Sequence, residues 1–183
     1  LISRIEALPF QSAGKAMYGT KIKLCDEYGQ VVKNGEVGEI YVKTDGMFVG
    51  YYRNSEKPFD TEGFFPMGDL AVCDDQKNFY ILGRKKLLIN VSGKKVNPLE
   101  VEKTIMELDS VHECVVVGLK KNNDDETIKA FVVAENVTTK EILEHCQKKL
   151  SKHKIPREIE FINAIPKNEV GKVDRNTLIK KEF

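Results

Sequence analysis

Residues 83–102 have the sequence GRKKLLINVSGKKVNPLEVE, and this stretch determines how the chain is divided. Its apolar segment Leu87–Val91, the turn pair Ser92-Gly93 and a short run to Val96 form the pattern of a β-hairpin. The next residues, Asn97-Pro98-Leu99-Glu100, supply an N-cap, a proline at the first helical position and a glutamate at the third, which predicts the start of a helix. We therefore place a domain boundary here, between residues 1–83 and 84–183.

The second part is predicted to be an α+β domain with a sheet of mixed direction. The first helix carries an apolar stripe of Val101, Ile105 and Leu108, and a capping box at Thr138–Glu141 begins a second helix. Asp174 is expected to cap a short terminal helix. The predicted strands are Cys114–Val117, Ile128–Ala134 and Glu158–Ile162, with a charged loop at Lys120–Glu126 between the first two.

The first part is predicted to be β-rich. Short strands with Gly- and Asp-rich turns indicate a small barrel-like subdomain, in which Gly46–Pro66 forms an ordered loop. The fold class of the whole chain is therefore α+β. The predicted strands are Lys21–Cys25, Val37–Val42, Asp69–Cys73 and Phe79–Leu82.

Composition excludes several classes of protein. The 183 residues carry a net charge of +1, which argues against a protein that coats nucleic acid, although residues 1–83 carry −3 and residues 84–183 carry +4. The four cysteines form no CxxC pair and there are three histidines, which favours a reduced, cytoplasmic protein without a zinc site. The apolar runs are too short to span a membrane.

Three segments carry residues of chemical interest, and each also has an ordinary structural interpretation. Asp69, directly after Gly68, is suited to accept hydrogen bonds from ribose hydroxyls, although such an Asp is commonly a turn former. Arg84 lies at the boundary where interdomain ligands bind, although basic clusters commonly protect sheet edges. Lys172 follows Gly171 in a polar loop, and this loop does not fit the phosphate-loop pattern GxxxxGK[ST].

In this order and spacing, the segments resemble the C-terminal portion of the acyl-adenylate-forming superfamily. That superfamily comprises acyl-CoA synthetases, luciferases and peptide-synthetase adenylation domains. The matching segments span the chain: GEVGEI at 35–40 with GYY at 50–52, GDL at 68–70, GR at 83–84, SG at 92–93 with PLEVE at 98–102, and GKVDR at 171–175. Met67 stands where the family usually has Thr.

The resemblance implies a ligase that works in two steps. A carboxylic acid and ATP give an acyl-adenylate and pyrophosphate, and a thiol, usually coenzyme A, then displaces AMP. Asp69 would hold the ribose hydroxyls, with Arg84 assisting from the boundary between the two parts, and Lys172 would be the catalytic residue that offsets negative charge at phosphorus. Lys86 occupies the hinge position, about which the C-terminal domain swings between the steps.

The resemblance also assigns coenzyme A to the hairpin. Ser92 and Gly93 would line the path of its pantetheine arm, and Lys95 would contact a phosphate. ATP requires Mg²⁺, whose ligands are not among these residues. The chain begins at Leu1 without a starting Met, and the family's Ser/Thr/Gly-rich phosphate loop and acyl pocket are not in it. We therefore expect a fragment whose partners are a carboxylic acid and an upstream domain.

Two alternatives stay open at this point. A peptide-synthetase adenylation domain would resemble GRxDxQVKIRG, whereas this chain has GRKKLLINVSG at 83–93, which favours a CoA ligase. A non-enzymatic module that binds adenylates or a protein partner is the other alternative.

Overall fold

The computed structural model describes residues 2–3, 12–53, 58–122 and 125–180. It divides into two compact units, residues 1–86 and residues 87–183. This division falls three residues after the predicted one, within a short 3₁₀ turn, Lys85–Leu87, which follows the strand Phe79–Arg84. Both strands and helices are present, so the predicted α+β class is confirmed.

The first unit is built on a four-stranded antiparallel sheet in the order β3-β4-β5-β6, beside a small two-stranded ribbon of β1 and β2. Each of the four strands of the main sheet overlaps a strand predicted from the sequence, although β4 begins at Gly38 rather than at the predicted Val37. The six strands are β1 (Ile2–Ser3), β2 (Lys15–Ala16), β3 (Thr20–Cys25), β4 (Gly38–Thr44), β5 (Phe65–Cys73) and β6 (Phe79–Arg84).

Alternating residues of this sheet form the core of the first unit: Leu24, Ile40, Val42, Ala71, Cys73 and Phe79 are all buried. The predicted loop Gly46–Pro66 is wrong at its end, because Phe65 and Pro66 pair with Val42 and Tyr41 and so begin β5. Aromatic rings order the loop itself, with the Phe48 ring 5.2 Å from that of Phe65. Residues 54–57 of this loop lie outside the described residues.

The second unit combines a hairpin, a three-stranded sheet and three helices. Its sheet has the order β11-β10-β9, with β10 antiparallel to β9 and parallel to β11, as the predicted mixed sheet requires. The elements are β7 (Ile89–Val91), β8 (Lys94–Val96), α1 (Pro98–Ile105), β9 (Val111–Asn122), β10 (Asp125–Ala134), α2 (Thr139–Lys149), β11 (Glu158–Phe161) and α3 (Arg175–Lys180).

Several boundaries in the second unit differ from the prediction, and the largest differences are at α1, β9 and β10. Helix α1 ends at Ile105, so Leu108 packs against the core from beyond the helix. Strands β9 and β10 extend through most of the predicted loop Lys120–Glu126, of which residues 123–124 lie outside the described residues. In the extended part, Glu126 is the register partner of Lys120, and its carboxylate accepts a hydrogen bond from the amide of Asn90 on the hairpin.

All three predicted helix caps are confirmed. The Asn97 side chain accepts from the Leu99 amide, and Thr138 forms a complete capping box with Glu141. Asp174 accepts hydrogen bonds from the amides of Asn176 and Thr177 at the start of α3. These contacts satisfy amides that have no partner within the helix.

The sheet of the second unit is covered on both faces. Val116 lies in a cluster with Val101, Ile105 and Ile142, contributed by α1 and α2. Its neighbours Val115 and Val117 point the other way, into a second cluster that includes Leu178 of α3. Two buried faces explain why β9 carries three consecutive valines instead of an alternating pattern.

Candidate active site

Asp69 and Arg84 form an ion pair in the first unit. They are register partners on β5 and β6, and Arg84 Nε lies 2.8 Å from Asp69 Oδ1. Arg84 Nη1 also donates to the carbonyl of Met67 at 3.1 Å, which fixes the guanidinium along the strand. A carboxylate has about four acceptor positions, so Asp69 keeps capacity for further donors. The pair sits beside a register shift between Leu70 and Ala71, an irregularity that is frequent near active sites.

The residues after Arg84 differ in their surroundings. Lys85 Nζ donates to Glu39 Oε2 at 2.7 Å, and this hydrogen bond raises the pKa of Lys85. Glu39 is buried, so Lys85 supplies the partner that a buried carboxyl group requires. Lys86 is exposed and is the last residue of the first unit.

The hairpin β7–β8 carries Ser92 and Gly93 at its turn. Both residues have positive φ, 49° and 78°, which is the conformation of a two-residue type I′ turn. A Cβ added at Gly93 would meet nothing within 4 Å, so the glycine is required by the backbone conformation, and the turn surface stays open. Lys94 and Lys95, which follow the turn, are both exposed.

Two acidic residues of β10 hold this hairpin. The amide of Ser92 donates to Asp125 Oδ1 at 2.6 Å, and the amide of Asn90 donates to Glu126 Oε2 at 2.7 Å. Charge-assisted hydrogen bonds to backbone amides are stronger than neutral ones. They explain how a serine is kept in the left-handed conformation, which is unfavourable for a residue with a side chain.

A cavity of about 540 Å³ opens beside the hairpin, within the second unit. Its apolar lining includes Val91, Ile128, Ile155 and Pro156. Cationic and other polar side chains surround this lining: Ser92, Lys94, Thr127, Gln147, Lys152, His153 and Arg157. An apolar floor with several basic groups suits a ligand that combines a ring or an alkyl chain with anionic groups.

Lys172 lies on a tightly closed loop of the second unit. Asn168 organises this loop, because its side chain accepts from the amides of Val170 and Lys172 and its carbonyl accepts from Gly171. Gly171 adopts φ of 76°, a left-handed conformation that glycine favours. The exposed Lys172 side chain thus extends from a loop with a fixed backbone.

The base of this loop is closed by main-chain contacts. Lys167 and Val173 form an isolated antiparallel bridge, and the amide of Asp174 donates to the carbonyl of Pro166 at 2.8 Å. Arg175, which follows, donates from Nη2 to Glu102 Oε1 of helix α1 at 2.9 Å. The loop is therefore tied to the body of the second unit directly after its last residues.

The structure brings together some of the predicted site residues. Asp69 and Arg84 meet in the first unit, whereas Ser92, Gly93 and Lys95 share the hairpin of the second unit and Lys172 lies on its own loop. The acidic residues Glu102, Asp125 and Glu126 were not predicted. Their contacts join residues far apart in the chain, and although Glu102 ends the PLEVE segment, nothing in that segment indicates its partner. Within the described ranges, no group of three His, Cys, Asp or Glu side chains is arranged to hold a metal ion.

Part of the second unit is similar to a known protein domain. Residues 100–172, which include most of α1, the three-stranded sheet and Lys172, match the AMP-binding enzyme C-terminal domain. The second unit is therefore similar to the C-terminal domain of AMP-binding enzymes. The predicted relationship to acyl-adenylate-forming enzymes is thereby confirmed.

Similarity to known proteins extends beyond these residues into the first unit. A long-chain-fatty-acid–CoA ligase of Haemophilus influenzae is 36% identical over 174 residues, which are 93% of this chain and 31% of that ligase. The crystal structure of ATP-bound MatB from Rhodopseudomonas palustris has a TM-score of 0.86 and 32% identity, covering 93% of this chain and 35% of MatB.

A third relative is o-succinylbenzoate CoA synthetase (MenE) from Bacillus subtilis, solved with an acyl-adenylate intermediate. Its TM-score is 0.81 with 31% identity, covering 92% of this chain and 35% of that chain. This chain thus spans about a third of the length of the relatives that it matches. None of the helices that the structure describes is long and apolar enough to cross a membrane.

Proposed function

We propose that this chain is the C-terminal part of an ATP-dependent carboxylic acid:CoA ligase. The observation that carries the proposal is the similarity over 93% of the chain to a long-chain-fatty-acid–CoA ligase, combined with an AMP-binding C-terminal domain. The rest of the enzyme, including the acid-binding pocket and the ligands of Mg²⁺, would come from an upstream domain. We expect the enzyme to work in the cytoplasm.

In the first step, an oxygen of the substrate carboxylate attacks the α-phosphorus of ATP. A P–O bond forms, and the bond to the leaving pyrophosphate breaks. Asp69 and Arg84 act on the ribose: the carboxylate accepts from its hydroxyls, and the guanidinium holds the carboxylate in place. Lys172 supplies a mobile positive charge that stabilises the negative charge developing around phosphorus.

In the second step, the thiolate of coenzyme A attacks the acyl carbonyl carbon. A C–S bond forms, the C–O bond to AMP breaks, and AMP leaves with the electron pair. The hairpin would serve this step: the open surface at Gly93 leaves room for the narrow pantetheine arm, with Ser92 and Lys95 beside it. Lys86 would act as the hinge, and the division of the chain after this residue supports that role.

Coenzyme A as the acceptor is supported by the cavity beside the hairpin. Its apolar floor suits an adenine ring, and Lys94, Lys152 and Arg157 suit phosphate groups. The names of the relatives, which are CoA ligases and a CoA synthetase, also favour coenzyme A over a carrier-protein thiol.

Binding of coenzyme A can be tested on the 183-residue chain by following amide chemical shifts during a titration. We expect shifts at Ser92, Gly93 and Thr127, and weaker binding after Arg157→Ala. Lys140→Ala is the matched control, since this exposed lysine of α2 pairs only loosely with Glu144, at 3.8 Å. Equal binding by both variants would contradict the assignment of the cavity.

Catalysis is tested by pyrophosphate release. The full-length ligase should release pyrophosphate from ATP in the presence of a suitable carboxylic acid, and the 183-residue chain alone should remain at background. Steady turnover by the chain alone would refute its role as one part of the enzyme. Calorimetry with AMP separates a further alternative, because a non-enzymatic adenylate-binding module would bind AMP tightly without any upstream domain.

A further inference from the structure

Glu102 and Arg175 form an ion pair that is largely buried in the second unit. Only 12% of the Glu102 side chain and 21% of the Arg175 side chain are exposed. Glu102 Oε1 accepts two hydrogen bonds at 2.9 Å, from Arg175 Nη2 and from the amide of Val116 on β9. One carboxylate oxygen therefore connects three elements: α1, the sheet and the start of α3.

This contact lies next to the loop that carries Lys172. Only Val173 and Asp174 separate Lys172 from Arg175, and the amide of Asp174 closes the loop onto Pro166. A shift of Arg175 would therefore move the C-terminal arm of the loop. The N-terminal arm has a contact of a different kind, a 2.8 Å ion pair between Lys167 and Glu113 of β9, with both side chains almost half exposed.

We infer that Glu102 is a positioning residue for Lys172, acting through Arg175. Glu102 holds the Arg175 guanidinium and thereby fixes the C-terminal arm of the loop, which runs from Lys172 to Arg175. The Lys172 ammonium group then extends from a backbone of fixed position. The effect of Glu102 on catalysis rests on the proposed function. The effect of the Glu102–Arg175 ion pair on the position of the loop does not.

A competing explanation is that Glu102 only stabilises the fold. Val173 and Leu178 pack in an apolar cluster with Val115, and this packing provides an independent anchor for the same segment. If it is sufficient, loss of Glu102 lowers the stability of the whole second unit without loosening the loop in particular. The two explanations predict different patterns of local opening.

Hydrogen exchange on the 183-residue chain distinguishes them. The amides of Gly171 and Lys172 donate within the loop, to the carbonyl and side chain of Asn168, and so report its opening. In Glu102→Gln their exchange should rise at least about tenfold relative to the amide of Phe131 in β10, because the buried Arg175 loses its charge partner. Glu113→Gln, the matched control on the exposed pair, should change the same ratio by less than about threefold.

A second variant separates positioning from stability. Glu102→Gln combined with Arg175→Met removes both charges, and removing both members of a buried pair is much less damaging than removing one. Global stability should recover, whereas the loop amides should remain fast. If Glu102→Gln alone does not fold, the exchange of the loop amides is measured in the double variant instead. Loop amides that stay as protected as in the wild type, in either folded variant, would overturn the inference.

The functional part is tested in the full-length ligase. Glu102→Gln should slow acyl-adenylate formation at least about tenfold while thioester formation from preformed acyl-adenylate changes much less. Equal losses in both half-reactions would contradict positioning of Lys172. Failure of the proposed function has a different signature: Lys172→Ala would then leave adenylation intact, whatever the hydrogen exchange of the loop shows.

Discussion

Asp69 and Arg84 stand directly opposite each other on neighbouring antiparallel strands, with Arg84 Nε 2.8 Å from Asp69 Oδ1. About half of the arginine side chain is exposed. A pair in this environment contributes little to folding, because water screens the charges and competes for the hydrogen bonds. Its geometry is instead suited to hold a carboxylate in one orientation for a ligand.

Asp69→Asn should therefore separate binding from stability. We expect a change of less than about 1 kcal/mol in the free energy of unfolding of the chain, measured in urea. In the full-length ligase the same variant should weaken AMP binding, since the amide replaces one of the two acceptor oxygens by a donor. A large loss of stability with unchanged AMP affinity would show that the pair is structural.

Gly118→Ala, on β9, should disturb the contacts that hold the β7–β8 hairpin. A Cβ at Gly118 would approach Glu126 Oε1 to 2.7 Å and Ile89 Cγ2 to 2.9 Å, so either Glu126 leaves the amide of Asn90 or the strand moves. We expect destabilisation of about 1–3 kcal/mol and faster amide exchange at Asn90.

The matched control for this substitution is Gly46→Ala. A Cβ at Gly46 has open space around it, and this glycine does not have the positive φ that disfavours side chains. The free energy of unfolding should stay within about 0.5 kcal/mol of the wild type. Equal effects of the two substitutions would contradict the proposed contact with Glu126.

The four thiols should be poorly reactive in the folded chain. Cys25, Cys73 and Cys146 are buried, and burial raises the pKa of every cysteine, in the case of Cys146 to about 11. Because the thiolate is the reactive form, labelling with an alkylating reagent at pH 8 should be roughly a hundredfold slower than in urea. Rapid labelling of any one cysteine in the folded chain would contradict the burial found here.

Helix α3 should be sensitive to acid through its N-cap. Hydrogen bonding lowers the pKa of Asp174, first from the hydroxyl of Thr177 and then from its amide. The stabilisation is therefore complete above the unfolded-state pKa of about 3.9 and is lost as the pH falls through the lower folded-state pKa. Chemical shifts of the Asn176 and Thr177 amides should titrate in this range, and Asp174→Asn should abolish that titration.

Local signals explain which parts of the fold were predictable. Asn97 and Thr138 cap their helices through residues two or three positions away, so the relevant chemistry is contained in a few letters of sequence. The extent of β9 and β10 was not predictable in this way. Their charged ends have the composition of a loop, and the contacts of β10 with the hairpin, from the amides of Asn90 and Ser92 to Glu126 and Asp125, come from a distant part of the chain.

The residues of the candidate site also differ in how far the sequence predicts them. Asp69, Arg84 and Lys172 lie in segments that resemble family motifs, so their roles were predicted from the sequence and remain predictions. Glu102 and Arg175 also lie in such segments, PLEVE and GKVDR, but their ion pair spans 73 positions of sequence and neither segment indicates it. Supporting contacts of this kind depend on how the elements pack, which the sequence pattern does not reveal.

Single-turnover kinetics of Lys172→Ala in the full-length ligase measure whether Lys172 stabilises negative charge during carboxylate activation. Acyl-adenylate formation should fall by at least about a hundredfold, whereas thioester formation from preformed acyl-adenylate should fall by less than about tenfold. Lys167→Ala, on the same loop, is the control and should leave both rates within about threefold of the wild type. Equal losses in the two half-reactions of Lys172→Ala, or no loss of adenylation, would contradict the account.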